Sequence, residues 1–150
     1  MFYLLIVFLI LAFEWKHKNY IEATFDFKKQ EYRANKLIKI RKYHNPGAFL
    51  NIMQHKKKLL HGLSVGFTAV IALFFLLTLF QKGNHVLKLG LALLLGGSFS
   101  NTYDRLSRNY VIDYVSFCTP WNKFNQIVFN ISDFCIILGS LLVVLKTENF

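Results

Sequence analysis

Residues 127–145 read IVFNISDFCIILGSLLVVL, an apolar stretch that contains a single acidic residue, Asp133. A helix rising ~1.5 Å per residue over this length crosses the ~30 Å hydrocarbon core of a bilayer. An ionised Asp at the centre of such a helix costs roughly 2.5 to 3.5 kcal/mol, so it usually faces a cavity or a partner and marks a functional site. We therefore predict a membrane helix with Asp133 about one third of the way in, one turn after Asn130 on the same face.

The composition of the whole chain places it in a membrane. It has 150 residues, of which 54% are hydrophobic, and a mean hydropathy of +0.35, which is too apolar for a soluble domain of this length. The segment Met1–Phe13 lacks a basic start and a small-residue cleavage site, so we expect an uncleaved anchor that continues toward Tyr20. We predict an all-α membrane protein, a single domain over residues 1–150 and a four-transmembrane-helix bundle, with helices at about 1–20, 59–81, 86–104 and 127–146.

The segment of about residues 21–58 is predicted to be a small interfacial, β-rich region. Short strands are expected at Glu22–Phe27 and within Lys36–Tyr43, and an amphipathic basic helix over Lys28–Lys42 is an alternative. Most of the 18 Lys and Arg residues of this chain, whose net charge is +10, fall between residues 15 and 58. Because this segment lies between membrane helices and mixes basic with aromatic side chains, it favours anionic lipid headgroups as partners and not nucleic acid.

Several classes of site are excluded by the remaining pattern. The two cysteines, Cys118 and Cys135, form neither a disulfide framework nor a metal-ligand pair. The five His are scattered without a zinc-binding spacing, so we predict no metal and no cofactor. Gly83 and Asn84 predict a tight turn between antiparallel helices.

Polar residues cluster in three blocks of the second half of the chain. They are GGSFSNTYDR at 96–105, VIDY at 111–114 and FNISD at 129–133. In the first block, Asn101, Asp104 and Arg105 share one helix face, because they stand at i, i+3 and i+4. Asp113 follows in a predicted loop, and Asp133 follows in the last helix.

These three blocks resemble the bacterial lipoprotein signal peptidases (signal peptidase II), whose pattern reads G-G-x-x-x-N-x-x-D-R, V-V-D-F and F-N-x-A-D. Two weaker similarities lie upstream, where the family has D-x-x-x-K and N-x-G-A-A-F. This chain has Glu14-x-x-x-Lys18 and Asn45-Pro46-Gly47-Ala48-Phe49. Glu14 therefore replaces an Asp, one Ala is missing, and Ser132 replaces the Ala before the second Asp.

The resemblance implies an aspartic endopeptidase that cleaves a diacylglyceryl-modified prolipoprotein just before its lipid-bearing cysteine. Two carboxylates placed close together share one proton, so one serves as base and the other as acid. Which of the two is the base stays open, although apolar surroundings favour neutral Asp133 as the acid. The residues expected at this site are catalytic Asp113 and Asp133, substrate-binding Asn45, Gly47, Asn101, Arg105 and Asn130, and supporting Glu14, Lys18 and Asp104, the last of which holds Arg105. Asn101 and Asn130 can orient either the carboxylates or the substrate backbone.

Alternative interpretations remain. Glu14, the missing Ala and the basic surface are compatible with a catalytically silent paralogue that binds lipidated proteins. A proton or ion pathway through Asp133 is disfavoured, because one buried acid makes no relay. Glu14 and Lys18 are also compatible with simply ending the first helix. We expect a monomer that crosses the cell membrane several times. The resemblance implies cytoplasmic termini, whereas the positive-inside rule argues for the reverse orientation; we expect the orientation of the family.

Overall fold

The computed structural model of the chain describes residues 1–47 and 56–147, so Ala48 and Phe49 of the second upstream motif lie outside the described residues. Within that part of the chain, the fold is mostly helical with one small sheet. Its elements are α1 (Phe2–Thr24), β1 (Gln30–Arg33), β2 (Ile38–Asn45), α2 (Lys57–Leu79), α3 (His85–Arg108), β3 (Val111–Phe117), the short α4 (Asn122–Asn125) and α5 (Ile131–Thr147).

The long helices pack around α3, which contacts α1, α2 and α5. Phe75 of α2 is fully buried against Leu91, Ala92 and Leu95 of α3. The backbones of α3 and α5 approach closely, because a Cβ atom built on Gly97 would lie 2.5 Å from the carbonyl oxygen at residue 132. Small residues at a helix interface permit this close approach, which is present between α3 and α5.

The helix bounds differ from the prediction at several ends. The helix α1 continues to Thr24 and α3 to Arg108, each four residues beyond the predicted end, while α2 covers residues 57–79. The predicted turn between antiparallel helices is confirmed, with φ of 73° at Gly83 and 52° at Asn84. By length and composition, one helix among the described residues, Lys57–Leu79, is long and apolar enough to cross a membrane. The number of helices that cross therefore stays a prediction.

The sheet has three antiparallel strands in the order β1–β2–β3. The strand expected within Lys36–Tyr43 is present as β2, but the strand at Glu22–Phe27 was wrong, because α1 extends to Thr24. The alternative helix over Lys28–Lys42 was also wrong, since these residues form a hairpin that turns through positive φ at residues 34–36. The β-rich region is not confined between the first two long helices, because β3 joins it from beyond α3.

The strand β3 replaces the loop in which Asp113 was expected. All of its first four residues are buried, so both faces of the strand are covered there, and its sequence VIDYVSF does not alternate polar and apolar residues as a half-buried strand does. Ile112 and Tyr114 pack with Ile21 and Phe25 at the end of α1, and this cluster joins the sheet to the helix bundle. Asp113 therefore lies on a strand that pairs with β2 and packs against the end of α1.

The start of α5 contradicts the predicted position of Asp133. Residues 127–130 are not helical; Phe129 and Val115 exchange backbone hydrogen bonds of 2.7 Å across a β-bridge. The helix begins at Ile131, so Asp133 lies in its first turn and not one third of the way along a membrane helix. The physical reason is a reciprocal cap: Asn130 Oδ1 accepts from the Asp133 backbone N–H, and Asp133 Oδ2 accepts from the Asn130 backbone N–H, both at 2.9 Å.

Candidate active site

Asp113 of β3 and Asp133 of α5 line the same pocket, which has a volume of about 970 Å³. The side chain of Asp113 is only 2% exposed, whereas Asp133 is half-buried. The pocket lies at one end of the helix bundle, where the last turns of α3, the first turn of α5 and the strands β2 and β3 meet.

Three asparagine amides hold the two carboxylates. Asp113 accepts hydrogen bonds from Asn130 Nδ2 at 2.7 Å and from Asn45 Nδ2 at 2.9 Å. Asp133 accepts one from Asn101 Nδ2 at 2.9 Å. Because Asn130 Nδ2 also donates to Asn101 Oδ1 at 3.2 Å, one continuous chain of side chains connects both carboxylates. For Asn101 and Asn130, contact with the carboxylates is one of the two alternatives expected from the sequence, and for Asn45 it was not predicted. Binding of the substrate by any of the three stays a prediction.

The environment of Asp113 favours its protonated form. Burial, followed by the nearby charge of Asp133, raises the pKa of Asp113 to about 8, and the hydrogen bonds from Asn45 and Asn130 oppose this rise. At neutral pH, the pair can therefore hold one proton, as two neighbouring carboxyl groups that work as acid and base require.

Arg105 also lines the pocket, but it is not held as predicted. Among residues 1–47 and 56–147, the salt bridges of Asp104 are to Lys18 and Arg108, so the expectation that Asp104 holds Arg105 was wrong. The Nε atom of Arg105 is buried without a hydrogen-bond partner in that part of the chain. A buried donor left unpaired is costly, so this guanidinium is available to a bound acceptor.

A second polar cluster, buried behind the pocket, includes the supporting residues predicted from the sequence. Lys18 Nζ lies 2.9 Å from Asp104 Oδ2 and 3.4 Å from Glu14 Oε2. It also donates hydrogen bonds of 3.0 Å to Ser100 and Asn101. Glu14 and Lys18 therefore do not end the first helix, since α1 continues past both of them and both are buried.

Gly47 has a local role in the structure. Its backbone N–H donates to Asn45 Oδ1 at 3.1 Å, which leaves the amide nitrogen of Asn45 directed at Asp113. The backbone of Gly47 thereby orients the Asn45 side chain, and the interaction with substrate that was expected of Gly47 remains a prediction.

The sequence analysis missed one wall of the pocket and the roles of two buried polar residues. Trp121 and Phe124, at the short helix α4, line the pocket together with Ile136 and Ile137 of α5. Two aromatic residues in an otherwise polar connection were the available signal. The buried residues are Tyr114 and Ser132, which directly follow Asp113 and precede Asp133; their signal was a hydroxyl at a position where the family pattern has Phe or Ala.

No group of three or more His, Cys, Asp or Glu residues able to hold a metal ion occurs within the part of the chain that the structure describes. Both cysteines in that part are free thiols. The site contains a pair of carboxyl groups with an arginine beside them. Such a pair can act as a general acid and a general base.

The sequence model of the signal peptidase (SPase) II family matches residues 6–148. A lipoprotein signal peptidase of Moorella thermoacetica is 29% identical over 143 residues, which cover 94% of this chain and 89% of that protein. One from Lactobacillus johnsonii is 30% identical over 141 residues, or 94% of this chain and 88% of that protein. One from Dichelobacter nodosus is 32% identical over 102 residues, and the match spans 67% of this chain and 65% of that protein's length.

Two solved bacterial membrane enzymes, both determined by the in meso method, share the fold. The first, at 2.3 Å resolution, has a TM-score of 0.82 at 20% identity, and the match covers 98% of this chain and 87% of the chain of that enzyme. The second, at 1.9 Å resolution, has a TM-score of 0.78 at 20% identity, with 97% and 91% covered. The family match extends over nearly the whole sequence and includes all three polar blocks. The chain belongs to the signal peptidase II family, whose members are membrane proteases that process lipoproteins.

Proposed function

We propose that this protein is a membrane aspartic endopeptidase that removes the signal peptide from diacylglyceryl-modified prolipoproteins and uses Asp113 and Asp133 to activate water. The observation that carries the proposal is the shared pocket: two carboxyl groups from different elements open into one cavity and are linked through Asn130. Family membership supports the same reaction.

We assign the acid role to Asp113 and the base role to Asp133. Asp113 is the more buried of the two, and burial disfavours the charged form of a carboxyl group, so the shared proton resides on Asp113. Asp133 lies in the first turn of α5, where the positive end of the helix dipole stabilises a negative charge. The premise for neutral Asp133, a position deep within a membrane helix, does not hold.

The reaction then follows from these positions. Asp133 removes a proton from water as the water oxygen bonds to the scissile carbonyl carbon, and Asp113 donates a hydrogen bond to the carbonyl oxygen. When the C–N bond breaks, the leaving amine takes a proton from the acid. Arg105 stabilises the negative charge that develops on the carbonyl oxygen, because its guanidinium lines the pocket and its buried Nε has no partner in the described chain.

The pocket walls suit a peptide that carries lipid. Ile136, Ile137 and Phe129 give the cavity an apolar side next to the carboxyl groups, and Trp121, 76% exposed, stands at its edge. An aromatic ring with a polar N–H is favoured at the membrane–water boundary. The substrate's acyl chains would lie in the membrane along the apolar side, while its peptide enters from the headgroups. The cell membrane is the proposed location, with the pocket end of the bundle outside the cytoplasm.

The test measures cleavage of a purified diacylglyceryl-modified prolipoprotein by the purified protein in detergent. Asp113→Asn and Asp133→Asn should each abolish cleavage, because an amide can neither supply nor accept the required proton. The matched control is Asp26→Asn: Asp26 is exposed and its Oδ1 accepts backbone N–H groups of Lys28 and Lys29, which an Asn oxygen also does. Undiminished cleavage in either pocket variant would refute the dyad, and wild-type binding without cleavage would identify a silent paralogue.

A further inference from the structure

Glu14, Tyr114 and Ser132 come from three different elements and meet in one buried contact. Tyr114 Oη donates a hydrogen bond of 2.5 Å to Glu14 Oε1, and Ser132 Oγ donates one of 2.7 Å to Glu14 Oε2. The side chains of Glu14 and Ser132 are 0% exposed and that of Tyr114 is 1% exposed. Each of the two carboxylate oxygens of Glu14 thus has its own hydroxyl donor.

The two donors stand next to the two carboxyl groups of the pocket. Tyr114 directly follows Asp113 on β3, and Ser132 directly precedes Asp133 on α5. Tyr114 Oη also accepts a 3.2 Å hydrogen bond from the backbone N–H of Ile131, the first residue of α5. Glu14 of α1 therefore connects the backbone beside both carboxyl groups, although it does not line the pocket itself.

The phenol of Tyr114 is suited to remain a donor in this contact. Burial, with the charge of Glu14 as the next cause, raises the pKa of Tyr114, so the hydroxyl keeps its proton at any physiological pH. A buried carboxylate stripped of such a donor loses a charge-assisted hydrogen bond and keeps its desolvation cost. Removal of either hydroxyl therefore disturbs the position of Glu14 and, through it, the other strand or helix.

The three side chains also depart together from the family pattern, which has Asp, Phe and Ala at these positions. Phe and Ala have no hydroxyl. An Asp at position 14 is shorter than Glu by one C–C bond, so its carboxylate would lie about 1.5 Å farther from residues 114 and 132. The longer Glu and the two hydroxyls are thus complementary in this chain. Each of the three side chains has its hydrogen-bond partners within this contact only when the other two are present.

We propose that Glu14, Tyr114 and Ser132 form one interdependent positioning unit that sets the separation of Asp113 and Asp133. The proposal rests on the proposed function, because it concerns the geometry of that proteolytic pair. None of the three residues touches the substrate. They act through the backbone of β3 and of the first turn of α5.

The experiment compares single variants with their combination. Glu14→Asp, Tyr114→Phe and Ser132→Ala should each lower kcat for prolipoprotein cleavage by about 10- to 100-fold, the loss expected when reacting groups shift by up to 1 Å. KM should stay unchanged, because the residues that contact substrate are intact. The triple variant should recover most of the wild-type kcat, since together the three changes reproduce the family's own combination.

Matched controls on the same elements separate position from side-chain chemistry. Ser140→Ala removes a half-buried hydroxyl from α5 whose one hydrogen bond within residues 1–47 and 56–147 is to the backbone oxygen of Ile136. Tyr20→Phe removes a hydroxyl from an exposed tyrosine of α1. Both should keep the wild-type kcat. All rates are normalised to the folded fraction, so a general loss of folding does not count as an effect on kcat.

Thermal unfolding of the same variants provides a readout without catalysis. The losses of the single variants should not add up in the triple variant, because residues in one hydrogen-bond network are energetically coupled. Wild-type kcat in all three single variants, or a triple variant as impaired as the three losses combined, would overturn the positioning unit. Failure of the proposed function is seen separately, as absence of cleavage by the wild type or as full activity of Asp113→Asn.

Discussion

Asn130 is the residue whose loss should affect both the fold and the chemistry, and the two effects can be separated. It is completely buried; its Oδ1 caps α5 by accepting from the Asp133 backbone N–H, and its Nδ2 donates to Asp113 and Asn101. Asn130→Ala removes the cap and the donor together. Asn130→Ser keeps a capping oxygen but has no amide N–H to offer to Asp113.

The magnitudes follow from these contacts. Loss of an N-cap costs about 1 kcal/mol, and removal of one partner of a buried hydrogen bond costs about 1 to 3 kcal/mol. Asn130→Ala should therefore lower the free energy of unfolding by roughly 2 to 4 kcal/mol, and Asn130→Ser by about 1 kcal/mol less. Cleavage should fall equally in both, because both leave Asp113 without the same donor.

Denaturant unfolding in detergent and the prolipoprotein cleavage assay measure the two effects on the same samples. Asn122→Ala, at an exposed position of α4, serves as the control and should change neither quantity. Equal stability of the Ser and Ala variants would refute the capping argument. Wild-type cleavage by Asn130→Ser would refute the claim that the amide holds Asp113 in its working position.

Two further predictions concern the packing of α3 on α5 and the shared proton. Gly97→Ala should lower the free energy of unfolding by about 1 to 3 kcal/mol and impair cleavage, because its Cβ would lie 2.5 Å from a carbonyl oxygen of α5. In the control Gly66→Ala, the new Cβ has no heavy atom within 4 Å, so the free energy of unfolding should rise by up to ~1 kcal/mol. Equal unfolding of the two variants would contradict the contact at Gly97. Cleavage should fall as pH rises through about 8, because the acid Asp113 then loses its proton. Because folding raises the pKa of Asp113 from 3.8, the contribution of its proton to the free energy of unfolding is complete below pH 3.8 and is lost by about pH 8. An Asp113→Asn variant with the same pH dependence of unfolding as the wild type would refute the assignment.

Much of the candidate site was accessible from the sequence because the chemistry is carried by short blocks. An Asp and an Asn three residues apart, as in Asn130 and Asp133, imply a contact within one helical turn, and that contact is present. Its form was not predicted: the two residues cap each other at the start of α5 and do not share a face within it. The apolar length alone favoured a helix from residue 127, although Asn130 followed three residues later by an acid is typical of a helix N-terminus.

The amino-acid sequence by itself determined the mostly helical character, the small basic sheet region and the family, since apolar length, charge and short motifs are local properties. Only the tertiary structure decided that β3 exists and that Glu14 bonds Tyr114, a residue 100 positions away. It also decided that Lys18 pairs with Asp104. These contacts depend on how α1 packs against α3 and β3, and spacing along the chain contains no information about residues brought together by packing between elements.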